Sequence, residues 1–152
     1  MNDKEKDEKS IIDTIKSITK IKVRYAETDA MGIVHHANYY VYFESAREDL
    51  LALCGLTYQE IEEKGVMMPI AQTQCKYYSP AKYADELLIE TTIEKFTPVQ
   101  LVVNYKITSE KSGILIAVGK TVQGFVDRDT FKLINLKKQH LSLWNKMNYI
   151  EE

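Results

Sequence analysis

The stretch RYAETDAMGIVHHANYYVYFESAREDLLALC, residues 24–54, decides how this chain is read. Its second half is a helix by spacing. Tyr39, Phe43, Ala46, Leu50 and Leu53 step by 4, 3, 4 and 3 residues, which lines up one apolar face on a period of ~3.6. Tyr40, Val41 and Tyr42 widen that face, so the first turns are expected to be buried on several sides. Asn38 is a suitable N-cap and Gly55 a suitable stop, which predicts a helix over 38–54. At ~1.5 Å per residue it is about 25 Å long, enough to cross a sheet. The first half is a loop that crowds Asp29, Gly32, His35 and His36 just ahead of that helix.

Outward from this stretch the pattern changes. IKVRYAE (21–27) reads as a strand, with Ile21, Val23 and Tyr25 on one face. Before it, SIIDTIKSITK (10–20) places Ile11, Ile15 and Ile18 at helical spacing, which predicts a short helix. Residues 1–9 are almost all Asp, Glu and Lys and read as a solvated tail, partly disordered. Residues 1–19 are therefore expected to be a charged extension, and 20–152 a single domain.

After the long helix, TYQEIEEK (57–64) predicts a second, shorter one ending at Gly65. Then the period becomes two. VMMPIAQTQCKYY (66–78), LLIETTIEKF (87–96), VQLVVNYKIT (99–108) and ILIAVGKTVQGFV (114–126) are strand-like. Leu87, Ile89, Thr91 and Ile93 share one face, as do Leu101, Val103, Tyr105 and Ile107. Turn signals at Thr97-Pro98 and Ser109–Gly113 predict an antiparallel meander. FKLINL (131–136) reads as a last strand and KKQHLSLWNKM (137–147) as a terminal helix. One helix against one large sheet is an α+β layer. A single helix cannot cover a wide sheet, so a homo-oligomer is expected.

Composition narrows the function. At 152 residues, 45% apolar and 28% charged, the chain is one globular domain able to bury ~70% of its unfolded surface without staples. A net charge of −2 leaves no basic excess for nucleic acid or an anionic membrane. No apolar run approaches the ~20 residues of a membrane span, and the charged start is no signal peptide. Cys54 and Cys75 form no CxxC and read as reduced, packed thiols of a cytoplasmic protein.

The loop has two readings. A helix start offers unpaired N–H groups and a partial positive charge that can hold an oxygen becoming an oxyanion. A carboxylate at Asp29 could attack an acyl carbon or deprotonate water, with His36 near enough to orient a water or a substrate oxygen. The plainer reading from residues alone is that Asp29 caps the turn in ETDAMG, His35 and His36 are loop residues, Tyr25 is core, and Glu44 with Arg47 is a surface pair. Three histidines, two of them adjacent side chains expected to point apart, do not suggest a metal site.

The same residues resemble the signature of the 4-hydroxybenzoyl-CoA thioesterase family. They are most similar to its branch of acyl-CoA thioesterases associated with the Tol–Pal system. Asp29, Gly32, Ile33, Val34, His36, Asn38 and Tyr39 fill the pattern, and CKYYSPAKYADELLIET (75–91) resembles a second family stretch. The resemblance implies a hotdog fold, an antiparallel five- to six-stranded sheet wrapped around one long central helix with short flanking helices. It implies an acyl-CoA substrate, a homodimer or homotetramer, and no cofactor. Asp29 matches the catalytic carboxylate, as nucleophile or general base. Tyr25 and His36 match its companions. Gly32, Ile33, Val34, Asn38 and Tyr39 match the substrate-binding loop. Two alternatives stay open: a non-catalytic acyl-CoA or acyl-carrier-protein binding protein, and a hotdog dehydratase using His36 and Glu44. Lys76, Lys82, Lys95 and Lys120 are all candidates for CoA phosphates.

Overall fold

A computed structural model describes residues 15–148. Strand β1 (Lys16–Lys22) leads through a short 3-10 turn (Tyr25–Glu27) and the loop into helix α1 (Asn38–Leu53). Helix α2 (Tyr58–Glu63) and strands β2 (Val66–Met67), β3 (Ile70–Tyr77), β4 (Glu86–Thr97), β5 (Gln100–Ser109), β6 (Leu115–Gly124) and β7 (Val126–Asp127) follow, then helices α3 (Leu136–Gln139) and α4 (Leu141–Asn148). Among the described residues the main sheet has five strands in the order β1-β4-β5-β6-β3, and β2 with β7 forms a separate small ribbon. Every pairing is antiparallel. This is the α+β arrangement of one long helix and one sheet that the resemblance implies.

The alternation read in β4 and β5 sets the core. Leu87, Ile89, Val103, Tyr105 and Ile107 are buried against Tyr42, Phe43, Ala46 and Leu50 of α1. Phe43 stacks on Tyr105 at 4.2 Å between ring centres. The helix ends where Gly55 takes φ +71, a conformation glycine adopts at little cost. Thr57 caps α2, accepting a hydrogen bond from the Glu60 N–H at 3.1 Å while Glu60 bonds back to Thr57 N–H.

Several expectations are corrected. The helix expected over 10–20 falls partly outside the described residues; from Lys16 the chain is strand, paired along β4 from Lys16↔Thr92 to Lys22↔Glu86. Sheet pairing overrides a short 3.6-residue pattern, and Ile18 is left 55% exposed. The sheet thus begins four residues ahead of position 20. Tyr25 is not a core residue: the 3-10 turn holds it 77% exposed. Asn38 is the first helical residue rather than the cap, and Leu53 and Val41 are exposed.

Strand β3 does not join the β4-β5-β6 meander as its neighbour in sequence order. It pairs with β6 at the far edge. FKLINL is not a strand. The Asp127 carboxylate accepts N–H bonds from Asp129 and Thr130 at 2.9 and 2.8 Å, Phe131 takes φ +59, and only an isolated bridge joins Val126 and Leu133. The terminal helix is two helices, broken at His140 with φ −142 and ψ 62.

Glu44 and Arg47 are not a surface pair. Glu44 is exposed, but Arg47 is buried at 9% exposure. Its guanidinium donates to the Tyr105 hydroxyl at 3.1 Å and the Tyr58 hydroxyl at 3.4 Å. Tyr105 in turn shares a 2.6 Å hydrogen bond with Thr121.

Candidate active site

The loop before α1 folds back on itself because its backbone closes a tight turn. Asp29 N–H donates to the Ile33 carbonyl at 2.9 Å and Gly32 N–H to the Asp29 carbonyl at 2.9 Å. Gly32 needs φ +77 there. Among the described residues a side chain at Gly32 would meet nothing within 4 Å, so the glycine serves the turn's dihedral rather than a close backbone approach to them. Thr28 and Val34 bridge the base of the turn. Val34 N–H reaches across to the Ala81 carbonyl at 2.8 Å, which ties the loop to the segment after β3.

Asp29 does cap the turn. Its Oδ1 accepts the Met31 N–H at 2.8 Å. Among the described residues its other oxygen makes no hydrogen bond. The two readings of Asp29 are therefore compatible: one oxygen orients the carboxylate and the second stays available for chemistry.

Asp29 lines an open cleft of about 350 Å³ together with Met31, Ile33, Val34, His36, Tyr39, Tyr77, Tyr78, Ser79 and Pro80. Five of the expected site residues, Asp29, Ile33, Val34, His36 and Tyr39, meet there. Tyr25 does not line it; its ring packs edge-on against Tyr83, 5.7 Å between centres. Gly32 and Asn38 act on the loop instead: Asn38 Nδ2 donates to the Glu27 carbonyl at 2.8 Å. Glu44, the acid of the dehydratase reading, is absent from the cleft wall.

The helix start is more occupied than expected. Asn38 N–H donates to the His35 carbonyl at 2.9 Å, and Tyr39 and Tyr40 N–H groups make long 3.3 Å bonds to the His36 and Ala37 carbonyls. Ala37 N–H donates to His35 Nδ1 at 3.2 Å, so the His35 ring holds the residue just ahead of α1. Among the described residues the His36 N–H has no acceptor. The His35 and His36 rings stack at 4.3 Å rather than pointing apart. Among the described residues no group of three His, Cys, Asp or Glu side chains is placed to hold a metal ion.

Tyrosines wall the cleft. Tyr39 and Tyr77 meet edge to face at 5.2 Å. Burial, with a lesser contribution from the Cys75 thiol, pushes the Tyr39 phenol up from 10.0 to about 12. Tyr77 donates to the His36 carbonyl at 3.2 Å and its phenol is also held above its ordinary value, by burial first and then by Cys75. Both are neutral donors at physiological pH. Tyr77, Tyr78, Ser79 and Pro80 were not singled out from sequence as site residues. The signal was present in the second family stretch, CKYYSP, but only the fold shows that the end of β3 faces the loop.

Glu27 was also missed. It is 7% exposed within an otherwise exposed turn. Its Oε1 accepts the Arg24 N–H at 2.7 Å and the Tyr42 hydroxyl at 3.2 Å, and its carbonyl accepts the His35 N–H at 2.8 Å. That carboxylate and burial hold the Tyr42 phenol above its ordinary value, burial contributing most.

The four candidate lysines separate. Lys82 lines a second groove of about 670 Å³ that shares Ser79 and Pro80 with the cleft. Lys76 lies over the Tyr78 ring, 5.2 Å from its centre. Lys95 and Lys120 line a different depression on the outer face of the sheet, where Lys120 is paired with Glu94 at 2.8 Å.

Comparisons with known proteins converge. The family profile described as the thioesterase-like superfamily matches residues 23–142. YneP of Bacillus subtilis, whose name assigns it provisionally to the acyl-CoA thioesterases, is 37% identical over 119 residues, 78% of this chain and 86% of that one. The acyl-CoA thioester hydrolase YbgC of Escherichia coli is 30% identical over 95 residues, 62% of this chain and 71% of that one. The crystal structure of the DHNA-CoA thioesterase from Staphylococcus aureus superposes with a TM-score of 0.82 at 34% identity, covering 86% of this chain and 87% of that one.

Proposed function

The chain belongs to the thioesterase-like superfamily, and on that footing we propose that it hydrolyses acyl-CoA thioesters to a free acid and CoA. The observation that carries the reading is the setting of Asp29. Its carboxylate is oriented by the Met31 N–H, through one oxygen only among the described residues, lines a cleft, and lies in the loop that ends at a helix start. The thioesterase names of relatives at 30–37% identity support the same chemistry.

In this mechanism the thioester carbonyl lies against the His36 N–H and the first turn of α1, where partial positive charge stabilises the oxyanion. Asp29 attacks the acyl carbon to give an anhydride, or takes a proton from a water that attacks. The C–S bond breaks and CoA leaves as a thiol. Water completes the hydrolysis in the first case. His36 orients the water or the carbonyl oxygen. Tyr39, Ile33 and Val34 wall the acyl group. Lys82, in the adjoining groove, is the best placed of the four lysines for CoA phosphates.

The active form is a homodimer or homotetramer acting in the cytoplasm. Seven of the eight residues of edge strand β3 are exposed, and its outer edge, unpaired among the described residues, is one that a second copy would cover. Both cysteines are unpaired, which suits a reducing compartment. Light scattering should give a mass at least twice the 17.6 kDa protomer; a monomer would refute this part.

The test of activity is thiol release from short, long and aromatic acyl-CoAs and from acyl-carrier-protein thioesters. Turnover of at least one CoA ester is expected. Binding without turnover would favour the non-catalytic reading. Hydration of an enoyl-CoA without thiol release would favour the dehydratase.

A further inference from the structure

We infer that Glu27 is a positioning residue, the clamp that sets Asp29 against the start of α1. Its kinetic consequence rests on the thioesterase reading above; its geometry does not.

One residue joins four points of the site. The carboxylate holds the Arg24 N–H at 2.7 Å, ahead of the 3-10 turn, and the Tyr42 hydroxyl at 3.2 Å, one turn into α1. The Arg24 guanidinium adds an ion pair at 3.6 Å to the other oxygen. The carbonyl of the same residue holds the His35 N–H and the Asn38 side chain, both at 2.8 Å. His35 is where the loop returns, and Asn38 is where α1 begins.

Asp29 lies two residues beyond Glu27. Its turn is closed internally by the Asp29–Ile33 and Gly32–Asp29 bonds, so it moves as a small unit. What fixes that unit relative to the helix start is the base of the loop, and Glu27 is buried there with both ends of its polar structure engaged. A carboxylate and an oxyanion site on separate units must be held to a fraction of an ångström, since misplacement by ~1 Å can cost ~100-fold in rate. Burying an acid whose only counter-ion among the described residues is a surface arginine is unfavourable, and the fold retains it at the junction of those two units.

The test compares Glu27→Ala, Glu27→Gln and Tyr42→Phe. Glutamine keeps the acceptor for Arg24 N–H and the Tyr42 hydroxyl, while the exposed Arg24 guanidinium can turn to water. For Glu27→Ala, kcat is expected to fall about 100-fold with KM changed less than about threefold. Glu27→Gln should restore kcat to within about tenfold of wild type. Without any substrate, amide hydrogen exchange at Val34 and His35 should rise at least about tenfold in Glu27→Ala, stay close to wild type in Glu27→Gln, and leave β4 and β5 unchanged. If Glu27→Ala does not fold, Tyr42→Phe, which keeps the packed ring, decides by the same exchange, with a smaller rise expected.

Equal kinetic losses for alanine and glutamine would overturn the inference, because charge rather than clamping would then matter. So would unchanged exchange at Val34 and His35 in a folded alanine variant, or in Tyr42→Phe when alanine fails to fold. A wild type that releases no thiol from any acyl-CoA refutes the thioesterase reading instead, and the exchange data still decide the clamp.

Discussion

Gly119→Ala is the substitution whose cost follows most directly from the packing. Gly119 lies mid-strand in β6, opposite Tyr105 of β5 and Cys75 of β3. A Cβ built there would lie 2.3 Å from Phe43 Cζ, 2.4 Å from Cε2 and 3.2 Å from the Gln74 carbonyl oxygen. The ring cannot swing aside. Phe43 is fully buried and stacked on Tyr105, so relief requires α1 to move off the sheet. Overpacking a tight core costs about 1–3 kcal/mol, and a contact a full ångström short belongs at the top of that range. Losing a glycine from the unfolded chain returns up to about 1 kcal/mol. The net cost is about 2 kcal/mol, or about 4–8 °C in Tm for a chain of this size.

The assay is thermal unfolding at fixed protein concentration, which holds the contribution of the proposed oligomer constant. A double-mutant cycle sharpens it. Phe43→Leu removes the two clashing ring atoms at a cost of about 1–2 kcal/mol. Combined with Gly119→Ala it should be at least about 1 kcal/mol more stable than the sum of the singles. A Gly119→Ala Tm within about 1 °C of wild type, or an additive double mutant, refutes the reasoning.

Two further outcomes are expected. Arg47 is buried on hydroxyl partners alone among the described residues, so Arg47→Met should cost less than about 1 kcal/mol or stabilise, whereas Arg47→Ala should cost about 3 kcal/mol through the cavity it leaves; denaturant unfolding reads both. The Tyr39 phenol is raised from 10.0 to about 12 chiefly by burial, so the folded state keeps a proton that the unfolded chain releases; its stabilising contribution is complete below pH 10 and is lost as pH rises toward 12, and Tyr39→Phe should flatten that part of the pH–stability curve.

The central helix and its loop were legible because their signals are local. The 4-3-4 spacing of Tyr39 to Leu50 and the stop at Gly55 need no tertiary partner to be read. The alternation in β4 and β5 was legible for the same reason. What failed depends on contacts distant in sequence. Within the described part of the 10–20 segment, Ile18 looks helical until β1, from Lys16, pairs with β4. Arg47 looks like a partner for Glu44 until the hydroxyls of Tyr58 and Tyr105 arrive from α2 and β5. Strand β3 reads as part of the meander because sequence order does not encode that it pairs across β6. In the candidate site, Asp29 and His36 stand in one motif, whereas Tyr77 enters only when that far edge closes on the loop. Glu27 carried no signal of its own, since a carboxylate in a polar loop looks solvated until its burial is seen.

The measurement that bears most directly on the proposed catalysis is steady-state thiol release by Asp29→Asn beside wild type, with Tm recorded for both. Asparagine keeps an oxygen to accept the Met31 N–H and removes the charge, so it separates the turn cap from the chemistry. The account predicts a variant that folds with a Tm within about 2 °C of wild type and loses kcat by at least about 1000-fold, on the scale seen when a reacting group is removed. A folded Asp29→Asn enzyme with kcat near wild type would contradict it and leave Asp29 as a turn cap alone.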